Sequence, residues 1–144
     1  MKVLFVCYAN VARSQVAQAY FTKLSRHASD SAGIAVNELV VQRNLPSRKL
    51  KDEVLSQRSV GYIGRECGVD VSERERQQLV PAMLDEADRV IVIAEKERWP
   101  GYLQEGGKVV FWDIPDPRGH PDEFAYDVYK QVQRRVERLV EEIG

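Results

Sequence analysis

Apolar positions along this chain follow two kinds of pattern. Val3, Leu4, Phe5 and Val6 follow one another without a polar break, as do Val90, Ile91, Val92 and Ile93. Such runs predict short strands buried on both faces over Lys2–Val6 and Arg89–Ala94, and a third is expected over Lys108–Trp112. Elsewhere the apolar residues recur at helical spacing. Val16, Ala17, Tyr20, Phe21 and Leu24 predict a helix over Ser14–Leu24, and Phe124, Val128, Val132, Val136, Leu139 and Val140 predict one over Pro121–Ile143. Fainter signals suggest a strand over His27–Ala32 and helices over Ser59–Glu66 and around Ser72–Leu79. Strands alternating with helices predict an α/β fold whose parallel sheet is covered on both sides.

The stretch Ile34–Arg58, with Asn37, Asn44, Pro46 and many charges, shows no clear period and reads as a long excursion from the edge of the domain. No repeat, low-complexity tract or linker divides the chain, so residues 1–144 are expected to form one domain. The 144 residues suffice for a core without disulfides or metals. The 21 basic and 22 acidic side chains give a net charge of -1, which offers no reason to expect nucleic acid or a membrane surface as a partner. The apolar run before Cys7 is too short for a signal-peptide core or a membrane span, and the two cysteines, Cys7 and Cys67, cannot build a disulfide framework or a zinc site. A reducing, cytoplasmic setting is the expectation.

The informative segment joins the first strand to the first helix: Cys7, Tyr8, Ala9, Asn10, Val11, Ala12, Arg13 and Ser14. Ligands of parallel sheets sit at this end of a strand. Five residues between Cys7 and Arg13 let successive backbone N–H groups converge on one point, to which the following helix adds its N-terminal dipole. That is a cradle for a tetrahedral oxyanion, and the same dipoles favour the thiolate of a cysteine at its base. The loop has no glycine, so Asn10 is the candidate for any left-handed position. Arg13 offers a planar fork for two oxygens, and Ser14 a hydroxyl for the Cys7 sulfur and a cap for the helix.

An oxyanion ester also needs a proton donor. Asp116 lies in the proline-stiffened stretch Ile114-Pro115-Asp116-Pro117-Arg118-Gly119 after the third strand, with Asp113 as a rival that residue chemistry alone does not reject. His120, followed by Pro121, Asp122 and Glu123, reads as the N-cap position of the last helix.

On these residues the chain resembles the low-molecular-weight protein tyrosine phosphatase family, which includes the thioredoxin-coupled arsenate reductases. The likeness runs through Cys7 to Ser14, Ser31-Ala32-Gly33, Gly68-Val69-Asp70-Val71-Ser72, Glu86-Ala87-Asp88 and Asp116-Pro117, and Ser14 to Ala17 and Trp112 to Gly119 resemble the arsenate reductase branch. The resemblance implies a three-layer fold with a central four-stranded parallel sheet, no cofactor and no metal, and a phosphocysteine intermediate. It implies Cys7, Arg13 and Asp116 as catalytic residues, the aspartate being the one of the Asp-Pro pair. Tyr8, Ala9, Asn10, Val11, Ala12 and Ser14 would bind phosphate, with Ser31 supporting the loop. The partner would be a phosphorylated protein or a small phosphoester.

The chain departs from the family in four places. The two further cysteines of the coupled reductases are absent from Ala94–Trp99, so a reductase would need arsenate and an external small thiol or redox protein. Ala12 replaces a frequent second loop cysteine, Arg118 and Gly119 stand where tyrosine phosphatases place aromatics, and Glu73 stands where a histidine is frequent. The excursion should border the site, and its Arg43, Arg48, Lys49, Lys51 and Arg58 would favour acidic substrates.

Overall fold

A computed structural model describes all of residues 1–144. Four strands, β1 (Lys2–Cys7), β2 (Ala28–Gly33), β3 (Arg89–Val92) and β4 (Val109–Phe111), form one sheet in the order β2-β1-β3-β4. Every pairing is parallel. The helices are α1 (Arg13–Leu24), α2 (Val36–Gln42), α3 (Gln57–Cys67), α4 (Pro81–Glu86) and α5 (Asp122–Ile143).

The unbroken apolar run of β1 serves two cores, because successive side chains of a strand point to opposite faces. Val3, Phe5 and Cys7 face α1, α3 and α5, where they meet Phe21, Ile63, Val128 and Tyr129. Leu4 and Val6 face the other side with Ala32, Val90, Val92, Leu79 and Leu103. The strand Val109–Phe111 is less covered than its sequence suggests: it is the sheet edge, and Val110 is exposed.

Register brings the C-terminal ends of the strands together. Cys7 stands opposite Gly33, Val6 opposite Val92, and Val92 opposite Phe111. The segments that follow therefore leave one edge of the sheet side by side. Among them, residue 33 must be glycine. A Cβ there would lie 2.7 Å from a Val36 methyl, 2.9 Å from the Ala9 carbonyl carbon and 2.9 Å from the Asn10 nitrogen, so the end of β2 touches the backbone of the Cys7 loop.

One expectation about these elements is corrected. Ser72–Leu79 is not helical. It turns at Ser72 and Glu73 and then runs on without helix, bridging Lys49 through Glu75 and Gly33 through Gln78. Its polar side chains alternate, with Arg74, Arg76 and Gln78 turned inward, and find partners far along the chain: Arg74 donates to Gln15 and Gln18, and Gln78 to the Ile34 carbonyl. A helix would forfeit those bonds. The excursion Ile34–Arg58, without a clear period in sequence, is built from short elements. It holds α2, two 3₁₀ turns (Leu50–Asp52 and Val54–Ser56) and the start of α3. Leu50, Glu53 and Ser56 are buried, and the backbone of residues 48–51 is bonded to that of residues 72–76.

Candidate active site

The loop from Tyr8 to Ala12 closes on itself through one side chain. Asn10 takes φ 56, the left-handed conformation expected of it. Its Oδ1 accepts from the backbone N–H of Gln77 at 3.0 Å, and since that partner can only donate, the amide orientation is determined. Nδ2 then donates to Ser14 Oγ at 2.7 Å. The hydroxyl, already accepting, has its hydrogen free for the Cys7 sulfur 2.9 Å away. The backbone N–H of Asn10 also points at that sulfur, at 3.3 Å.

Further bonds hold the loop from outside. Ile34 N–H and Ala35 N–H donate to the carbonyls of Cys7 and Tyr8, both at 3.0 Å, and the Gln15 side chain donates to the Asn10 carbonyl at 3.1 Å. The hydroxyl of Ser59, on α3, donates to the Val11 carbonyl at 2.5 Å. Ser14 does not cap α1: the N-cap is Ala12, which lacks a capping side chain, and the Ser14 hydroxyl is spent on the sulfur. Ser31 is buried, but its bonds run from its N–H to Asp30 and from Gln77 to its carbonyl, not to the loop.

Arg13 is 3% exposed. Its Nη1 donates to the carbonyls of Ile93 (2.9 Å) and Ile114 (3.0 Å) and to Glu95 Oε1 (2.7 Å), while Nη2 lies 3.8 Å from Asp116 Oδ2. One guanidinium nitrogen thus joins α1 to the segments after β3 and β4. Asp116 is exposed, and its Oδ1 accepts the backbone N–H of Arg118 at 2.9 Å, which fixes the carboxylate on its own turn.

Cys7, Tyr8, Ala9, Val11, Ala12, Arg13 and Asp116 line one cavity of about 410 Å³, whose wall also includes Leu39, Val54, Leu55 and Tyr129. Asn10, Ser14 and Ser31 stand behind it, and Asp113 is not among its residues. His120 reaches the cavity, but its ring stacks on Phe124 with centroids 4.1 Å apart, and the N-cap of α5 is Pro121.

Sequence reasoning missed two contributors and gave a third, Arg58, another role. Gln77 acts on Asn10 through its backbone N–H, which leaves no mark on residue identity. Glu95 could have been sought as the first acid after the β3 run, its partner Arg13 being distant in sequence. Arg58 clamps the Asp116 loop to α3, donating to the carbonyls of Pro117 (2.9 Å) and His120 (2.7 Å). Meanwhile the basic residues of the excursion are largely occupied. Arg43 forks onto Glu53 at 2.6 and 2.7 Å, Lys49 and Lys51 share Glu73 at 3.0 and 2.7 Å, and Arg48 bonds Asn37. The excursion does border the cavity, and chiefly with the apolar Leu39, Val54 and Leu55. Cys67, the other free thiol, sits at the end of α3 outside the cavity, where burial pushes its thiol up against the opposing pull of Lys23.

Comparison with known proteins agrees with this architecture. A probable low molecular weight protein-tyrosine-phosphatase, EpsP of Ralstonia solanacearum, is 28% identical over 98% of this chain and 94% of its own. Among solved structures, Wzb of Vibrio vulnificus in complex with benzylphosphonate superposes with a TM-score of 0.73 at 22% identity, covering 98% of this chain and 97% of that one. An arsenate reductase in its oxidized state superposes with a TM-score of 0.73 at 25% identity, covering 99% and 98%. The model of the low molecular weight phosphotyrosine protein phosphatase family matches residues 2–144, and the chain accordingly belongs to that family of hydrolases.

Proposed function

We propose that the chain hydrolyses phosphomonoesters, with aryl esters such as protein phosphotyrosine preferred, through a phosphocysteine intermediate. The observation that carries this reading is the convergence of Cys7, Arg13 and Asp116 on one cavity, with the Cys7 sulfur facing the Ser14 hydroxyl and the Asn10 N–H. Nη1 carries all three anchoring bonds of Arg13, which leaves its Nε and Nη2 edge as a fork for two phosphoryl oxygens. Cys7 attacks phosphorus as the thiolate; the ester P–O bond breaks, and the leaving oxygen takes its proton from Asp116. Asp116, now a carboxylate, removes a proton from water as that water attacks the phosphocysteine, so that inorganic phosphate departs and the thiolate returns. The loop amides and Arg13 stabilise the phosphoryl charge throughout. Leu39, Val54, Leu55 and Tyr129 supply an apolar wall suited to an aromatic leaving group.

The test is steady-state hydrolysis of an aryl phosphate. Cys7→Ser is expected to abolish it, and Asp116→Asn to lower kcat by about 10²–10⁴-fold, less for esters whose leaving group needs no proton. Undiminished turnover in Cys7→Ser would overturn the reading.

A second reading, arsenate reduction with external thiols, draws on the likeness to the arsenate reductase. Because Cys67 stands outside the cavity and the segment after β3 has no cysteine, the reducing thiols of such a reaction would come from outside the chain. Arsenate turnover assayed with glutathione and with a thioredoxin would favour it.

A further inference from the structure

Most cationic side chains around the cavity are occupied. Arg13 and Arg58 are bonded to carbonyls and carboxylates, Arg43 to Glu53, Lys49 and Lys51 to Glu73, and Lys96 to Glu105. Arg98 and Arg118 differ: neither guanidinium makes an ion pair or a hydrogen bond within the chain. Both line a second cavity with Tyr8, Glu95, Asp116 and Gly119, which shares Tyr8, Asp116, Arg118 and Gly119 with the first. The two carboxylates there are already engaged, Glu95 by Arg13 at 2.7 Å and Asp116 by the Arg118 N–H at 2.9 Å. The Arg98 guanidinium lies over the Tyr8 ring, 4.5 Å from its centroid, a cation–π contact that holds its position and leaves its N–H donors free.

We infer that Arg98 and Arg118 form a second anion subsite, which takes a carboxylate or phosphate carried on the leaving group of the substrate. The side follows from Asp116. Whatever enters a cavity that shares the proton donor is attached to the oxygen that donor protonates, not to the phosphoryl oxygens held by the loop. The inference rests on the hydrolase reading above and adds to it a substrate class, doubly anionic phosphoesters. The second anion can be delivered by a small aryl phosphate or by an acidic residue beside a phosphorylated side chain; the chemistry at the two arginines is the same.

The experiment compares phenyl phosphate with a carboxymethyl-substituted phenyl phosphate, and a phosphotyrosyl peptide flanked by Glu with one flanked by Gln. At low ionic strength kcat/KM is expected to favour the anionic member by about tenfold, a preference that shrinks severalfold at high salt because both arginines are exposed. A preference in the first pair alone assigns the subsite to small esters, and in the second pair alone to acidic peptides. Arg98→Ala with Arg118→Ala should bring the ratio near one, Arg98→Glu with Arg118→Glu should invert it, and lysine at both positions should retain it. The same ratio in equilibrium binding to the Cys7→Ser chain reads the subsite without turnover. Absent hydrolysis with a retained binding ratio would remove the hydrolase reading and leave the subsite; a ratio near one in the unaltered chain, or one that survives the double alanine variant, overturns the subsite.

Discussion

Asn10 must meet three demands at once: a left-handed backbone, a donor for Ser14 and an acceptor for Gln77. Asn10→Ala should therefore cost about 1–2 kcal/mol for the backbone strain and a further 1–3 kcal/mol for the orphaned Gln77 N–H, as read by urea unfolding. Turnover should fall as well, since Ser14 loses the bond that directs its hydrogen at the sulfur. Glu53 poses a different problem. Its carboxylate is 1% exposed, bonded by Arg43 and the Leu55 N–H, and 3.6 Å from Arg76, a buried guanidinium whose Nε and Nη2 have no partner. Breaking such a buried pair costs about 3–5 kcal/mol, which is the loss expected of Glu53→Ala. Burial alone would raise the Glu53 carboxyl, but the bonds from Arg43 and Leu55 outweigh it and hold it below its ordinary value of 4.5. A carboxyl depressed on folding binds fewer protons folded than unfolded. Its contribution is complete above about pH 4.5 and is lost as pH falls below that, so unaltered protein should lose more stability than Glu53→Gln on acidification.

At the level of elements, Gly33 is where β2 meets the Cys7 loop, and Gly33→Ala must push back either Val36 or the loop backbone. Overpacking of this kind costs about 1–3 kcal/mol, and the expected signature is a fall in kcat larger than the modest drop in melting temperature would suggest. The turn carrying Val54 and Leu55 lends itself to the opposite dissociation. Serine at both positions should raise KM for an aryl phosphate severalfold, because the apolar area that these side chains cover on a bound ring is worth about 1 kcal/mol, while an alkyl phosphate should be little affected. These elements are not equally legible in sequence. β1 and β3 can be read because a strand covered on both faces must be continuously apolar, and the Cys7-to-Arg13 loop because its parts are contiguous. Ser72–Leu79 is opaque because it is held by polar side chains whose partners, Gln15, Gln18 and Ile34, lie far off in the chain. The charge of the excursion misleads for the same reason: Arg43 and Lys51 are countered by Glu53 and Glu73, and no local pattern announces those pairs.

For the molecule as a whole, the parallel order β2-β1-β3-β4 means that neighbouring strands are joined only by long crossovers, and that the site draws on segments from Cys7 to Tyr129. Contacts of such sequence separation form slowly, since loop closure precedes their reward. Arg13 makes the dependence concrete. Two of its bonds go to the carbonyls of Ile93 and Ile114, which come into place only when β3 is seated beside β1 and β4 beside β3. A chain emerging from the ribosome would carry Cys7, its loop and Arg13 well before Ile93 and Ile114, and would remain incompetent until those later segments had been added. In refolding from urea, activity should return with the slowest tertiary phase and not with the early gain of helix, so that the arginine acts as a built-in check that the sheet is complete before chemistry begins.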